Sequence, residues 1–404
     1  MRRRVAVTGL GIVSCLGNDL SSVVHALREG RSGLRHAPAY REAGLRCHVA
    51  GLPSLEGEPE VDRKVRRFMG EGALYAHHAL RKAIADAGLN GEQVRDPRTG
   101  LVVGSGVGSL ARYVEAIDRL REGGIRKFPP YVVPQIMTSS ASAALATAFG
   151  IRGTSYSVSA ACASASHAIG QAADLIRAGR QERMFAGGAE EGEWTSAVTF
   201  DAMGALATAW NDAPQAASRP FDERRDGFVM AGGAGILVLE ELEAARRRGA
   251  RIYAEVAGHG ETSGGDMVVP SPEAAAAAMS AACADAGLAG VDYVNAHAIS
   301  SGPGDLAELA ALRLAFGEAL PAFSSTKGLT GHSLGAAGAQ EAIYCLLMLR
   351  DAFVAGCANL EAPDRAAHGM PIVRASTPRV LRSVMSNSFG FGGTNASLVF
   401  ASVA

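Results

Sequence analysis

Short apolar runs alternate with longer alanine-rich segments along the chain. The short runs have the composition of buried strands, and the longer segments have the length of helices. Strands are predicted at residues 5–8, 101–103, 155–159, 184–186, 235–239, 252–256, 293–296, 384–386 and 398–400. Helices are predicted at residues 20–29, 70–87, 163–178, 273–286, 305–316 and 337–349. This alternation predicts a layered α/β protein whose strands are covered by helices on both faces.

Two features of the pattern bear on domain organisation. The first predicted strand runs into Gly9 and Gly11, which indicates a glycine-permitted turn at its end. No linker rich in Pro, Gly or Ser divides the chain, and no short repeat recurs at a fixed period. One compact body is therefore expected, with the charged segment 240–251 as the candidate junction between an N-terminal and a C-terminal half.

Composition and charge narrow the class of protein. The 404 residues are 48% hydrophobic and 20% charged, so the chain can bury a large core. The 39 Lys and Arg against 40 Asp and Glu give a net charge of −1, which argues against a surface built to hold nucleic acid. No apolar run reaches the roughly 18 to 20 residues that cross a bilayer, and the N-terminus does not have the pattern of an export signal. A cytoplasmic protein without a membrane partner is expected.

The six cysteines are scattered and form no CxxC pair, so neither a metal site nor a disulfide framework is expected. Cys162 is distinct because a strand-like run enters a turn of small residues there and continues as a helix. At a helix N-terminus, backbone N–H groups and the helix dipole favour a thiolate, and a tight bend exposes the sulfur. The sequence therefore predicts a nucleophile at Cys162, with an inert buried cysteine as the alternative.

Three later segments contain further candidate chemistry. His297 ends a predicted strand, where side chains are delivered to the edge of a sheet. Lys327 and His332 lie in the glycine-rich segment 325–338, which lacks the GxxxxGK[ST] order of a phosphate-binding loop. Segment 386–396 alternates Phe and Gly, and glycines there let backbone N–H groups approach a ligand. Each segment alone also fits a structural role: a core histidine, a plain glycine loop or a turn.

Taken together, Cys162, His297, Lys327 with His332, and then the Phe-Gly run resemble the β-ketoacyl-acyl carrier protein synthases, the condensing enzymes of fatty acid synthesis. The resemblance covers essentially the whole chain. It is strongest to the type I elongating enzymes of bacteria, in the segments FDAMGAL, RPFDERRDGFVMAGGAG, GHSLGAAGAQEAIYCLLML and MSNSFGFGGTNA. It implies a thiolase-like fold, in which two similar βαβαβαββ halves form an α-β-α-β-α layered sandwich, and a homodimer. Residues 1–245 would contain the nucleophile and residues 246–404 the histidines.

The resemblance also implies a role for each site residue. Cys162 would accept the acyl chain, and His297 and His332 would act in decarboxylation and condensation. Lys327 would lie in the same active centre, supported by Glu308. The N–H groups of Phe391, at the gate of the site, and of Cys162 would form the oxyanion hole. The implied reaction condenses an acyl chain on the cysteine with malonyl-acyl carrier protein, which gives 3-ketoacyl-acyl carrier protein and CO2. No cofactor is expected, because the substrates are held on the phosphopantetheine of the carrier protein.

The chain departs from the family pattern in the loop after His297. The family reads His-Gly-Thr-Ser-Thr-Pro, and its threonines bind the pantetheine arm, whereas Ala298 and Ile299 follow His297 here. Ile299 cannot make that hydrogen bond, which leaves Ser301 as the remaining candidate. The lost bond would cost roughly 0.5 to 1.5 kcal/mol. Val107 stands where type I enzymes tend to have glycine, so Val107 and Phe389 are predicted to shape the pantetheine or acyl pocket.

An acidic carrier protein needs a basic docking surface. The candidates, which match the docking region of the family, are Arg63, Lys64, Arg66, Arg67, Arg126 and Lys127. A solvated charged face is the structural alternative.

Other functions remain open to different degrees. A specialised ketosynthase of polyketide or polyene synthesis would keep the same residues. A thiolase is disfavoured because the Phe-Gly run contains no second cysteine. A catalytically silent partner subunit is disfavoured by Cys162, although the altered loop after His297 keeps it open.

Overall fold

The computed structural model describes residues 2–264 and 266–403. The strands in this part of the chain are β1 (Val5–Val13), β2 (Arg35–His36), β3 (Val49–Gly51), β4 (Thr99–Gly104), β5 (Ser155–Val158), β6 (Arg183–Glu190), β7 (Met230–Ala231), β8 (Gly233–Glu241), β9 (Ala254–Ser263), β10 (Tyr293–Asn295), β11 (Ala322–Ser324), β12 (Phe353–Val354), β13 (Thr377–Pro378), β14 (Ser383–Gly390) and β15 (Thr394–Ala401).

The α-helices in the same residues are α1 (Leu20–Glu29), α2 (Pro38–Glu42), α3 (Arg63–Arg66), α4 (Glu71–Asp86), α5 (Gly91–Val94), α6 (Leu110–Gly123), α7 (Val132–Ile136), α8 (Ser140–Phe149), α9 (Ser164–Arg177), α10 (Trp194–Ala202), α11 (Leu242–Arg247), α12 (Pro272–Ala286), α13 (Gly302–Phe316), α14 (Lys327–Thr330) and α15 (Ala337–Asp351). Short 3-10 turns lie at Ile125–Lys127, Pro214–Ala216, Leu334–Ala336 and Arg365–Ala367.

Ten strands form two five-stranded sheets with the same internal pattern. The first has the order β5-β4-β6-β8-β1, and the second has the order β11-β10-β14-β15-β9. In each sheet the first three strands are parallel and the last two pair antiparallel. In the described residues the two sheets are joined through β1 and β9, where Ala6 pairs with Glu255 and Val7 with Ala254. The predicted duplication into two similar halves is therefore visible in strand order and direction.

Helices α9 and α15 lie between the two sheets and pack against both of them. On the outer faces, α4 and α8 cover the first sheet and α12 covers the second, with α13 packed against α12. This arrangement confirms the predicted α-β-α-β-α layers. In α15, every residue from Ala337 to Met348 is buried, as expected of a helix with apolar surface on all sides.

Each predicted strand and helix overlaps an observed one, with one correction at the first strand. Residues Gly9 and Gly11 do not end it in a turn, because β1 continues to Val13. A Cβ on Gly9 would lie 2.6 Å from the carbonyl oxygen of Ala83, and one on Gly11 would lie 1.9 Å from that of Ala79. The two glycines therefore let α4 approach the strand closely.

Helix α11 lies in the charged segment predicted to join the halves, between β8 of the first sheet and β9 of the second. The strand β11 was not predicted, since its three residues give no periodic signal and only its pairing with β10 makes it a strand. In the part of the chain that the structure describes, no helix is both long enough and apolar enough to span a membrane.

Candidate active site

Cys162 lies in the turn between β5 and α9, as predicted. Ala161 before it has a φ of +47°, a left-handed conformation that is costly for a residue with a side chain. The Ser164 hydroxyl accepts a hydrogen bond from the N–H of Ala160 at 2.9 Å and donates to the carbonyl of Ala161 at 2.6 Å. Thr394 also donates to the carbonyl of Ala160, at 3.0 Å. These bonds hold the strained turn that presents the sulfur at the end of a helix.

The surroundings of Cys162 oppose the thiolate that N–H groups at a helix N-terminus favour. The residue is only 9% exposed, and burial raises the pKa of its thiol to about 12. The charge of Lys327 and the backbone N–H groups of Phe391 and Cys162 act in the opposite direction and favour the thiolate, but burial outweighs them. Cys162 is therefore a thiol at rest and loses its proton only as it reacts.

His297 follows β10, and Glu308 on α13 fixes its backbone. The carboxylate of Glu308 accepts the N–H of His297 at 2.9 Å and that of Ala298 at 2.6 Å. The Asn387 amide donates to the same carboxylate at 3.1 Å. All three donors are uncharged, and the carboxylate is buried. Burial therefore raises the pKa of Glu308. This network orients the loop that presents the imidazole.

The two histidine rings face each other within the site. The ring centroids of His297 and His332 are 5.2 Å apart and the rings are nearly perpendicular. Burial and the charge of Lys327 lower the pKa of both imidazoles well below the ordinary value. Both are therefore neutral at pH 7, and each has one ring N–H to donate. In residues 2–264 and 266–403, Nδ1 of His297 and both ring nitrogens of His332 have no hydrogen-bond partner.

Lys327 is almost completely buried, and its ammonium pairs with the carboxylate of Glu341 on α15. Among the described residues, Glu308, the predicted supporting residue, makes no ion pair with Lys327. Glu308 contributes a charge near Lys327, but its hydrogen bonds go to the backbone after β10 and to Asn387. The chain topology explains the difference, since Lys327 and Glu341 lie on consecutive helices while Glu308 lies behind the His297 loop.

One cavity of about 410 Å³ brings most of these groups together. Its wall includes Cys162, His297 and His332, together with the gate residue Phe391 and the predicted pocket residue Phe389. The ring of Phe389 lies 5.7 Å from that of His297, and the ring of Phe391 lies 6.2 Å from that of Phe200. The remaining wall is largely apolar, so the cavity fits an extended apolar ligand with its reactive end at the cysteine.

The predicted pocket residues differ in where they lie. Ser301 lines the cavity, but its hydroxyl caps α13 by accepting the N–H of Gly304 at 3.1 Å. Val107 lies outside this cavity wall and packs, partly buried, against the apolar cluster that contains Cys162. Ile299 lines the cavity with an apolar side chain, and Ala298 is buried beside it. The loop after His297 therefore offers the cavity less hydrogen bonding than the family pattern implies.

The candidate docking residues lie in two neighbouring exposed segments. The guanidinium of Arg67 stacks on the rings of Phe68 at 4.7 Å and Tyr131 at 5.0 Å, which joins the end of α3 to the residues after the Ile125–Lys127 turn. Arg66 differs from the others because it pairs with Glu71 and donates to the carbonyl of Met69 at 2.7 Å. The exposed members of the set are Arg63, Lys64, Arg67, Arg126 and Lys127.

Sequence reasoning missed three buried carboxylates around the site: Glu341, Asp305 and Glu190. Asp305 accepts the N–H groups of Ile299 at 3.1 Å and Ser301 at 3.2 Å, and so shapes the loop after His297. A signal existed for Glu341, which is the one charged residue in the largely apolar stretch 337–349 that the sequence predicts as a helix. In the described residues, no group of three or more His, Cys, Asp and Glu side chains is placed to hold a metal ion.

Comparison with known proteins agrees with this geometry. Residues 2–245 match the N-terminal domain of beta-ketoacyl synthases, and residues 253–361 match the C-terminal domain. The chain therefore belongs to the beta-ketoacyl synthase family. It is 51% identical to 3-oxoacyl-[acyl-carrier-protein] synthase 1 of Haemophilus influenzae over 401 residues, which cover 98% of each chain.

Two solved structures have the same fold over their full length. A beta-ketoacyl synthase from Burkholderia phymatum is 37% identical, with a TM-score of 0.94 and complete coverage of both chains. A type II polyketide ketosynthase, AntDE, solved with its acyl-carrier protein AntF, is 28% identical, with a TM-score of 0.92 and the same coverage. The thiolase-like fold is thus confirmed.

Proposed function

We propose that this protein is an elongating β-ketoacyl-acyl carrier protein synthase. The observation that supports this most is the convergence, in one largely apolar cavity, of the Cys162 thiol, the N–H of Phe391 and two neutral histidines. The similarity to 3-oxoacyl-[acyl-carrier-protein] synthase 1 over 98% of both chains supports the same activity.

The first half-reaction transfers the acyl chain to Cys162. The sulfur attacks the thioester carbonyl of an acyl-carrier protein, and the N–H groups of Cys162 and Phe391 stabilise the tetrahedral oxyanion. The thiol proton leaves with the pantetheine sulfur, so the products are acyl-Cys162 and a free carrier thiol. Because the cysteine starts as a thiol, proton loss accompanies the attack and no exposed thiolate is maintained between turnovers.

The second half-reaction extends the chain. Malonyl-carrier protein loses CO2, and the electron pair of the broken bond forms an enolate whose oxygen accepts one N–H from His297 and one from His332. The enolate carbon attacks the acyl-Cys162 carbonyl and expels the sulfur. A proton from solvent restores the thiol, and the product is a 3-ketoacyl chain two carbons longer. Neutral imidazoles suit this role because each must donate to an anion without first losing a proton.

Lys327 acts in this scheme as a fixed charge. Its pairing with the carboxylate of Glu341 holds the ammonium in place. The charge then lowers the pKa of both histidines and favours the cysteine thiolate as it forms. No step requires a neutral lysine.

An acyl carrier protein is the proposed partner. The exposed residues Arg63, Lys64, Arg67, Arg126 and Lys127 form a basic surface suited to an acidic carrier. The structure of AntDE with AntF supports this class of partner for a protein of this fold.

A homodimer is proposed from the free edge of the first sheet. Strand β5 is the last strand of that sheet, and its pairing in the described residues is with β4. The same half of the chain also exposes the apolar side chains of Tyr113, Ile125 and Val133. An unpaired strand edge is a site for pairing with a second copy, and exposed apolar side chains favour burial in an interface. Light scattering after size exclusion should give the mass of two chains, and a mass of one chain at micromolar concentration would contradict this proposal.

The loop after His297 favours one second candidate, a specialised ketosynthase that takes a polyketide or polyene chain. Ala298 and Ile299 change the wall that the incoming arm contacts, while the reacting groups stay in place. The two candidates differ in the acyl chain that Cys162 accepts.

Intact-protein mass spectrometry tests both candidates. The protein is mixed with carrier proteins loaded with saturated chains of several lengths or, in parallel, with an unsaturated or polyketide chain, and malonyl-carrier protein is then added. Acyl mass on the wild type and none on Cys162→Ala, followed by discharge as a 3-ketoacyl product, is the expected result. If no saturated chain loads and an unsaturated or polyketide chain does, the second candidate replaces the first. If nothing loads, both fail.

A further inference from the structure

Glu190, at the end of β6, is a buried carboxylate that the proposed reaction does not use. Its Oε2 accepts the N–H of Gly106 at 2.6 Å and that of Gly335 at 3.1 Å. Its Oε1 accepts the hydroxyl of Ser105 at 3.0 Å and the N–H of Val107 at 3.4 Å. None of these four donors is charged. The carboxylate therefore binds two loops by hydrogen bonds alone.

These two loops lie directly behind the two parts of the active centre. A Cβ on Gly106 would lie 3.3 Å from the carbonyl oxygen of Ala161, so the first loop packs against the strained turn of Cys162. Gly335 lies in the turn that follows His332, and a Cβ there would lie 2.4 Å from the N–H nitrogen of Gly106. The carboxylate thus sits where the cysteine turn of one half meets the histidine turn of the other.

We propose that Glu190 is a positioning residue of the active centre: its carboxylate, bound to both loops, fixes the distance between the Cys162 turn and the His332 turn. This inference rests on the proposed condensing function. Glu190 contacts neither the substrate nor the reacting atoms. It acts through Cys162 and His332, which do.

Two opposing charges act on the Cys162 thiol. Lys327 on α14 favours the Cys162 thiolate, and Glu190 on β6 disfavours it. Burial raises the pKa of Glu190 to about 7, against the effect of its four donors. Glu190 therefore gains its charge across the neutral range, and the pKa of Cys162 rises as it does so. The adjacent Glu191 points to another partner set, the N–H groups of Glu71 at 2.8 Å and Gly72 at 3.4 Å.

The pH profile of Cys162 alkylation tests this coupling. The rate of iodoacetamide reaction at Cys162 is followed by peptide mass spectrometry from pH 6 to 10, without any carrier protein. A thiol with a fixed pKa above this range reacts about tenfold faster per pH unit. If Glu190 shifts the pKa of Cys162 by about one unit, the rate rises only about twentyfold between pH 6 and 8, where about hundredfold is otherwise expected.

Three variants separate charge from position. Glu190→Gln should restore the full slope between pH 6 and 8 and reduce the condensation kcat by about tenfold or more. Glu190→Asp keeps the charge but shortens the reach, so the shallow slope stays while kcat falls. Glu191→Gln is the matched control and should keep the shallow slope. A general loosening of the site would change the rate at every pH without changing the slope.

If Glu190→Gln does not fold, Ser105→Ala replaces it. This variant removes one donor, so the shallow segment should move to higher pH as the pKa of Glu190 rises. A wild-type profile with full slope throughout, or a Glu190→Gln profile identical to the wild type with kcat within twofold, overturns the proposal. Failure of the wild type to condense any chain counts against the proposed function instead, because alkylation requires no acyl substrate.

Discussion

The two halves of this protein have the same strand pattern but connect their edge strand to their central helix differently. In the first half, β5 ends at Val158 and α9 begins at Ser164. In the second half, β11 ends at Ser324 and α15 begins at Ala337. The short connection holds one reactive group, Cys162, in a strained turn. The long connection leaves room for α14 with Lys327 and for the loop with His332.

This difference assigns the two stages of the proposed reaction to different halves. A strained turn at a helix N-terminus suits a nucleophile, because it exposes one atom and aims N–H groups at it. A longer loop suits a hydrogen-bond donor such as His332, which must face the enolate from a different side than Cys162. The same strand order therefore supports two kinds of chemistry, and the length of one connection separates them.

The outer edges of the two sheets also differ. Beyond β11, Pro371 and Val373 exchange backbone hydrogen bonds with Phe323, at 3.2 Å and 2.9 Å. No comparable segment of residues 2–264 and 266–403 pairs with β5 on its outer side. The first half therefore presents the edge available to a second copy.

The largest expected effect comes from removing the group on the short connection. Cys162→Ala should abolish both acyl loading and condensation, since no other group can form the thioester. The measurement is acyl mass on the protein and product formation from malonyl-carrier protein. Cys283→Ala, at a buried cysteine on the outer helix α12, is the control and should keep full activity. Acyl mass on Cys162→Ala would mean that another residue accepts the chain.

Variants on the histidine side should separate the two stages. His332→Ala and His297→Ala should each lower the condensation kcat by about 10²- to 10³-fold, because one donor to the enolate is lost. Acyl loading of Cys162 should persist, as followed by intact mass. His25→Ala, an exposed histidine on α1, is the control. Equal loss of loading and condensation would show that the histidines do not belong to the second stage alone.

The buried pair Lys327 and Glu341 should stabilise the long connection. Glu341→Ala leaves the Lys327 ammonium buried without its partner, so the free energy of unfolding should fall by about 3 to 5 kcal/mol. Chemical denaturation measures this change. The double variant Lys327→Met, Glu341→Leu should recover most of the stability but not the activity. If the double variant is as unstable as the single one, the loss comes from packing and not from the unpaired charge.

The pH dependence of Cys162 follows from its burial. Since the pKa of the thiol is raised to about 12, the thiolate fraction should grow through the whole accessible range. Alkylation of Cys162 should become about hundredfold faster between pH 8 and 10, with no plateau below pH 10. A plateau near pH 8 would show that the N–H groups and Lys327 outweigh burial.

The smallest effect concerns the altered loop after His297. Ile299→Thr should lower the KM for carrier-bound substrates by about two- to tenfold, the value of one neutral hydrogen bond. Ile299→Val has nearly the same shape as the threonine variant but no hydroxyl, so it should leave KM near the wild-type value. If both variants change KM equally, side-chain volume controls this wall and the missing hydrogen bond does not.

Much of the site could be predicted because its parts lie at recognisable junctions. The turn before a long helix marked Cys162, the strand end marked His297, and the glycine-rich segments marked His332 and Phe391. Hydrophobic alternation likewise predicted the layers, since an apolar strand or helix must be covered on each apolar face. Resemblance to a known family then related four separate segments to one reaction.

Tertiary structure alone decided which charges act on which groups. The sequence could not pair Lys327 with Glu341 in place of Glu308, nor place Glu190 between two loops that are far apart in the chain. It identified local N–H groups that favour a thiolate at Cys162, but only the fold shows that the sulfur is buried and its pKa raised. The physical reason is that strand and helix signals are local, while burial and electrostatic coupling depend on distances between segments that only the folded chain brings together.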